Sequence, residues 1–216
     1  MTDARRSLRL TDNRQALCAT LKREYPAWAT LIAEVRQHVP RHHKEVWEEI
    51  AVAIALLASQ YNRRDARLLE WGTNRGFTAA VLRLAAPEAE VTTLEPNRSL
   101  RRTARTHLTS LDIHVRPETS AAYLEVDDHT YDMIFVDGDH KHISADLPWY
   151  NRLVTGGLFL HHDFSPAGSS RPCPRVYKAL NEFAAQLDHP ADVQIVDDTG
   201  TGIAGWYRRE GETLIW

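Results

Sequence analysis

Two segments of the sequence place acidic and imidazole side chains directly after apolar runs. Asp137 and His140 follow the run Tyr131–Val136, and His162 and Asp163 follow a second run that begins after Gly157. If the two runs are neighbouring parallel strands, their carboxyl ends meet at one edge of a sheet. Carboxylate oxygens of Asp137 and Asp163, with a nitrogen of His162, then form a candidate site for Mg²⁺ or another divalent metal.

Asp137, His140 and Asp163 are also candidate catalytic residues. Imidazole ordinarily titrates near neutrality, so His140 is a candidate general base beside the two carboxylates. The alternative is that these polar groups only cap strand ends and helix starts. Two dense clusters at the ends of neighbouring strands favour chemistry over capping.

A glycine-containing loop follows an earlier apolar run. Its sequence from Glu70 to Gly76 has the pattern acidic-x-Gly-x-x-x-Gly, in which glycines allow a sharp turn and close approach of a ligand. The spacing differs from that of the dinucleotide fingerprint, and the loop lacks the Lys-Ser/Thr of a phosphate loop. Glu95, after the next run, could accept hydrogen bonds from ribose hydroxyls. Taken separately, the loop could be a tight turn and Glu95 a solvated carboxylate.

Apolar runs that alternate with helical patterns from residue 65 onwards predict the elements that position these groups. We expect strands at 67–70, 90–94, 112–115, 131–136 and 157–161, and helices at 77–85, 98–108, 144–153 and 176–187. Residues 193–196 and 203–207 could form a closing antiparallel pair around Thr199-Gly200. This alternation predicts an α/β fold with a doubly wound, mostly parallel sheet and helices on both faces. Residues 12–60 are predicted helical, interrupted at Pro26 and Pro40. The predicted division is therefore a helical extension or lid over 1–64 and a ligand-binding domain over 65–216.

Composition limits the classes of protein to consider. The chain has 216 residues, 43% of them hydrophobic, and a formal charge of −3, which is typical of a globular protein rather than a dedicated nucleic-acid binder. Two cysteines are too few for a disulfide scaffold, so a cytoplasmic location is expected. The longest apolar stretch is too short to span a membrane.

Three segments together resemble the class I methyltransferases that use S-adenosylmethionine, and especially the O-methyltransferases related to the macrocin and catechol enzymes. The resemblance covers about residues 65–210. It rests on residues 68–76, on Leu94-Glu95-Pro96, and on the runs 131–140 and 156–163, which contain Asp-Gly-Asp-His and His-His-Asp.

The resemblance implies a seven-stranded Rossmann-like sheet and a set of site residues. Glu70, Gly72 and Gly76, with Thr73 in the same loop, would hold the methionine part of the cofactor, and Glu95 its ribose. Thr119 and Ser120 would lie near the adenine. Asp137 would occupy a cofactor, metal or base position. His162 and Asp163 match the place where metal-dependent relatives carry two acidic or amide ligands, and histidine departs from that pattern.

The methyl acceptor implied by the resemblance is a hydroxyl of a small molecule such as a sugar, a phenol or a secondary metabolite. Nucleic acid is an unfavoured acceptor because the fourth strand is not followed by the Asn/Asp-Pro-Pro-aromatic run of base-methylating enzymes. The N-terminal helices, with His38, His42, His43 and Trp47, could cover the acceptor or pack against a second copy in a homodimer. A metallohydrolase built on the His/Asp clusters and a catalytically inactive cofactor-binding protein are the alternatives.

Overall fold

The computed structural model describes residues 8–10, 14–43, 45–169, 171–196 and 201–215. Within these residues eight strands form one sheet in the order β1-β7-β8-β6-β5-β2-β3-β4. The strands are β1 (Leu8–Leu10), β2 (Arg67–Trp71), β3 (Glu90–Leu94), β4 (His114–Arg116), β5 (Tyr131–Val136), β6 (Leu153–His162), β7 (Val193–Ile195) and β8 (Ile203–Tyr207).

Seven α-helices formed by the described residues cover the sheet. They are α1 (Arg14–Glu24), α2 (Trp28–His38), α3 (Glu48–Ala58), α4 (Phe77–Ala85), α5 (Arg98–His107), α6 (Ser120–Val126) and α7 (Pro174–Leu187). None of the helices in the described part of the chain is long and apolar enough to cross a membrane.

The order of the strands confirms the predicted doubly wound, mostly parallel sheet. From β2 the chain moves outward through β3 to β4, and it then returns to place β5 on the other side of β2. Strand order therefore reverses between β2 and β5, and the crevice at the carboxyl ends of these strands is where such sheets bind ligands. Strand β8 is antiparallel to β6 and β7, and β7 and β8 form the closing antiparallel pair that was predicted over 193–196 and 203–207. The sheet has one strand more than the seven implied by the resemblance, because β1 adds to its edge beside β7.

Two apolar layers hold the sheet. On one face the buried residues of α1 to α4 share a core with β2 and β5, and every residue of α3 from 50 to 58 is buried. On the other face aromatic side chains such as Trp149, Phe159 and Phe183 pack together with α7. The N-terminal helices thus belong to the same packed body as the sheet, and the division at residue 64 stays a prediction.

Two segments differ from the predicted elements. The helix expected over 144–153 is instead a pair of short 3₁₀ helices, Ile143–Ala145 and Leu147–Arg152. Pro148 has no backbone N–H to give an α-helix there, so the segment forms the tighter turns instead. Helix α6 has no counterpart in the prediction, and it begins where the Thr119 hydroxyl accepts a hydrogen bond from the Ala122 N–H. The turn predicted at Thr199-Gly200 lies outside the described residues.

Candidate active site

A cleft of about 1000 Å³ opens at the carboxyl edge of the sheet, where the strand order reverses between β2 and β5. It is lined by the loops that follow β2, β3, β4 and β5, together with a short segment that precedes α3. Five of the residues predicted to bind the cofactor line this cleft: Gly72, Glu95, Thr119, Ser120 and Asp137.

Gly72 lies where the backbones of two loops meet. Its φ is +96°, and a Cβ atom added there would lie 1.9 Å from the Asp137 carbonyl oxygen. The Asp137 N–H donates to the Trp71 carbonyl at 2.9 Å, which holds the loops together. Only glycine fits this position, because any side chain would force β2 and β5 apart at the floor of the cleft.

Glu95 presents a buried carboxylate that backbone groups hold in place. Its Oε2 accepts from the Asn74 N–H at 2.8 Å, and its Oε1 accepts from the Asn97 N–H at 2.9 Å. Asn74 has a φ of 51°, a left-handed conformation that asparagine tolerates better than most residues. The loop after β2 thereby fixes the carboxylate that follows β3.

Glu70, Thr73 and Gly76 lie beneath the loop rather than in the lining of the cleft. Glu70 is fully buried, and its Oε2 accepts a hydrogen bond from the Thr93 hydroxyl, which also contacts Thr73. Burial raises the pKa of Glu70 to about 8. Its Oε1 has no hydrogen-bond partner among the described residues. Gly76 has a φ of +96° at the start of α4, where it packs against Leu108.

Asp146 is a cleft residue that the sequence reasoning did not identify as part of the site. It lines the cleft beside Ser120, and the Ser120 hydroxyl donates to its Oδ1. Burial raises the pKa of Asp146 to about 6, although the hydrogen bond from Ser120 opposes this effect. A signal was available in the sequence, since Asp146 follows the Asp-Gly-Asp-His run closely, but its inward orientation depends on the 3₁₀ turns.

The acidic and imidazole clusters predicted after β5 and β6 do come together. The Nδ1 atom of His162 lies 3.0 Å from Oδ1 of Asp137 and 3.5 Å from Oδ1 of Asp163. Burial by itself would lower the pKa of His162, but the charges of the two carboxylates and their hydrogen bonds raise it to about 10. For Asp163, burial acts to raise the pKa. The hydrogen bond and charge of the neighbouring His162 have a larger effect in the opposite direction, so the pKa of Asp163 lies below its ordinary value.

His140 lies on the far side of Asp163. Its Nε2 is 3.0 Å from Oδ2 of Asp163, and its Nδ1 is 3.3 Å from Sγ of Cys173, which precedes α7. Of the three predicted catalytic residues, Asp137 lines the cleft, whereas His140 and Asp163 are not among its lining residues. Residue spacing does not predict the contact with Cys173, because Cys173 reaches the cluster from the start of α7 and not from a strand end.

The predicted metal ligands Asp137, His162 and Asp163 are adjacent, but His162 faces both carboxylates as a hydrogen-bond donor. Its other nitrogen, Nε2, lies 3.1 Å from the Thr201 hydroxyl. Among the described residues, Asp137, His140 and Asp163 have potential metal-ligand atoms that all lie within 4.8 Å of one another. This group contains His140 in place of His162.

Five further histidines lie in different parts of the structure. His161 is buried against the ring of Phe159, and burial lowers its pKa to about 3, so it belongs to the core. His42, His43 and His142 line the cleft. His38 contacts the Ser110 hydroxyl instead, and Trp47 is not among the lining residues of this cleft.

A family model described as a methyltransferase domain matches residues 69–164. These residues include the glycine loop, Glu95 and both strand-end clusters. This match agrees with the resemblance that the sequence motifs carry. No curated protein matches the chain significantly.

Solved structures share the fold at low sequence identity. The O-methyltransferase from Bacillus cereus in complex with SAH is 19% identical with a TM-score of 0.61, over 89% of this chain and 97% of that one. Cofactor-bound Rv0187 from MTB is 24% identical with a TM-score of 0.64, over 92% of this chain and 99% of that one. TomG from Streptomyces achromogenes, an O-methyltransferase involved in tomaymycin synthesis and bound to SAM, is 17% identical with a TM-score of 0.61, over 89% and 96% of the two chains.

Proposed function

We propose that the protein is an S-adenosylmethionine-dependent O-methyltransferase that acts on a hydroxyl group of a small molecule. The observation that carries the proposal is the cleft at the strand-order reversal, which is lined by Gly72, by the fixed buried carboxylate of Glu95 and by Asp137 of the acid–imidazole cluster. The methyltransferase family match and the SAM or SAH bound to relatives of this fold support it.

The residues of the cleft fit S-adenosylmethionine. Gly72 leaves open the space that a side chain would fill, and Glu95 presents a carboxylate already oriented by two N–H groups. A carboxylate held in this way can accept both ribose hydroxyls. Thr119, Ser120 and Asp146 would surround the adenine, and the backbone at Gly72 would support the methionine part. Glu70, Thr73 and Gly76 would act indirectly, by holding the loop from below.

When bound, the cofactor supplies a methyl group on a positively charged sulfur. The protein must bring an acceptor oxygen into line with that methyl group and remove or neutralise its proton. Asp137 lies at the floor of the cleft beside Gly72, where its carboxylate can accept a hydrogen bond from the acceptor hydroxyl. His162 contacts the Asp137 carboxylate, and Asp163 contacts the same ring nitrogen of His162. Much of the acceleration then comes from alignment of the acceptor.

The acceptor enters from the side of the cleft that carries His42, His43 and His142. Their imidazole nitrogens can form hydrogen bonds with a hydroxylated small molecule. The cytoplasmic location and a homodimer formed through the N-terminal helices stay predictions.

Calorimetry with S-adenosylhomocysteine, followed by methyl transfer from labelled S-adenosylmethionine to a panel of phenols, sugars and hydroxylated metabolites, tests the proposal. We expect binding and transfer to at least one hydroxyl compound. Binding without transfer to any compound of the panel would favour the inactive cofactor-binding protein. Failure to bind either sulfur nucleoside would reject the proposal.

A further inference from the structure

The carboxylate oxygens that face into the strand-end cluster already lie against imidazole nitrogens. Oδ1 of Asp137 and Oδ1 of Asp163 both face Nδ1 of His162, and Oδ2 of Asp163 faces Nε2 of His140. A nitrogen that contacts a carboxylate at 3.0 Å carries a hydrogen directed at that carboxylate. A metal ligand must instead direct a lone pair at the ion. The predicted ligand set therefore does not fit a metal with His162 in this orientation.

We propose that the His162 N–H takes the place of a divalent cation between Asp137 and Asp163, so that the cluster binds no divalent metal and methyl transfer requires none. The binding half of this inference stands independently. The catalytic half rests on the proposed function.

The ring of His162 is held at both nitrogens and cannot simply turn away from an incoming ion. The Thr201 hydroxyl contacts Nε2 at 3.1 Å, and the side chain is only 9% exposed. Strand β8 contributes to this restraint, because His162 pairs with Ile203 in the sheet and Thr201 lies two residues before Ile203. An ion would have to break contacts on both edges of the ring to enter the cluster.

The turn after β6 completes the arrangement. Asp163 has a φ of +59°, which bends the chain sharply after His162 and directs the carboxylate back toward the same ring. Two half-buried or buried carboxylates without a compensating positive or hydrogen-donating group would repel each other. His162 provides that compensation from within the chain, in the position where a cation would otherwise have to provide it.

The competing arrangement is an ion held by Asp137, His140 and Asp163, whose ligand atoms lie within 4.8 Å of one another. Such an ion requires His140 to release Asp163 and to direct a nitrogen lone pair at the ion. The two arrangements differ in one measurable respect, since only the competing one binds a metal in the wild-type protein.

Calorimetric titration of Mn²⁺ into the EDTA-treated full chain saturated with S-adenosylhomocysteine tests the proposal. We expect no saturable binding to the wild-type protein at concentrations up to about 1 mM. His162→Asp, which replaces the donor by a third carboxylate, should bind Mn²⁺ at least about tenfold more tightly than wild type. His114→Asp is the matched control, because it adds a carboxylate at an exposed position outside the cleft and should behave as wild type.

Saturable Mn²⁺ binding by the wild-type protein that is lost in His140→Gln would overturn the proposal, whether or not the His162 variant folds. Methyl transfer, once an acceptor is found, should be unchanged by EDTA, and restoration of activity by Mg²⁺ after chelation would also overturn it. Because the Mn²⁺ titration needs no acceptor, it gives a result even if the proposed methyl transfer is not found.

Discussion

Nδ1 of His162 lies 3.0 Å from Oδ1 of Asp137, across the ends of two neighbouring parallel strands. The register of β5 and β6 explains the contact. Val136 pairs with His161, so the next residues, Asp137 and His162, also lie side by side. Two clusters that are separate in the sequence therefore form one hydrogen-bonded unit next to the cleft. Asp137 belongs to both that unit and the cleft lining, which connects the cluster to bound ligands.

Asp163→Asn should spare cofactor binding and strongly reduce turnover. Asparagine keeps the left-handed backbone that this position requires but removes the charge that holds His162 and His140. We expect the turnover number to fall about 100-fold, while the dissociation constant for S-adenosylhomocysteine changes less than about twofold. Asp188→Asn, at the end of α7 with a φ of 57°, makes the same chemical change in the same conformation away from the site. Unchanged turnover in Asp163→Asn would remove the cluster from the mechanism.

Glu95→Ala should weaken cofactor binding. The substitution removes a carboxylate that lines the cleft and the acceptor for two loop N–H groups. We expect the dissociation constant for S-adenosylhomocysteine to rise at least about tenfold, because the ligand loses a charged hydrogen-bonding partner. Glu88→Ala is the control, because Glu88 pairs with Arg64 on the exposed surface. Equal affinities of the two variants would contradict the role given to Glu95.

Gly72→Ala should be far more damaging than Gly211→Ala, although both glycines have positive φ values of 96° and 77°. The two substitutions share the cost of a left-handed alanine, about 1–2 kcal/mol. At Gly72 the added methyl group also meets the Asp137 carbonyl, whereas at Gly211 nothing lies within 4 Å. Urea denaturation and ligand titration of both variants measure the difference. If the two variants had similar stability and similar affinity, the loops that follow β2 and β5 would not be held as closely at Gly72 and Asp137 as described.

The contribution of Glu70 to the free energy of unfolding should fall as pH rises from about 4.5 to about 8, because Glu70 is buried with a raised pKa. In that range the folded protein keeps a proton on Glu70 that the unfolded chain releases, so rising pH favours unfolding. Glu70→Gln cannot ionise, and its stability relative to wild type should increase by at most about 1.4 kcal/mol for each pH unit in that window. Denaturant titrations at several pH values give this comparison. Glu90→Gln, at an exposed strand start, should show no such trend.

Much of the fold could be predicted because apolar runs and helical patterns alternate clearly. Strand β5 and helix α4 begin and end where the sequence pattern places them. Helix α6 was missed because its start depends on a hydroxyl cap at Thr119 within an otherwise polar segment. The predicted helix over 144–153 failed at Pro148, whose lack of an N–H favours 3₁₀ turns.

The sequence could locate the site but could not assign every side chain in it. His161 and His162 look equivalent in the sequence, yet successive strand residues face opposite sides, so that one enters the core and the other the cluster. Contacts made by Thr201 and Cys173 depend on how β8 and α7 return to the sheet, which residue spacing does not encode. Glu70 was expected to meet the ligand directly, but its side chain turns inward beneath the loop.

The central claim is that the cleft between β2 and β5 binds the methyl-donor nucleoside, and titration of S-adenosylhomocysteine into the wild-type protein tests it most directly. We predict saturable one-to-one binding with a dissociation constant between about 1 and 100 μM, or about −8.2 to −5.5 kcal/mol. No detectable binding at about 1 mM ligand, by a protein that is folded under the same conditions, would contradict the claim.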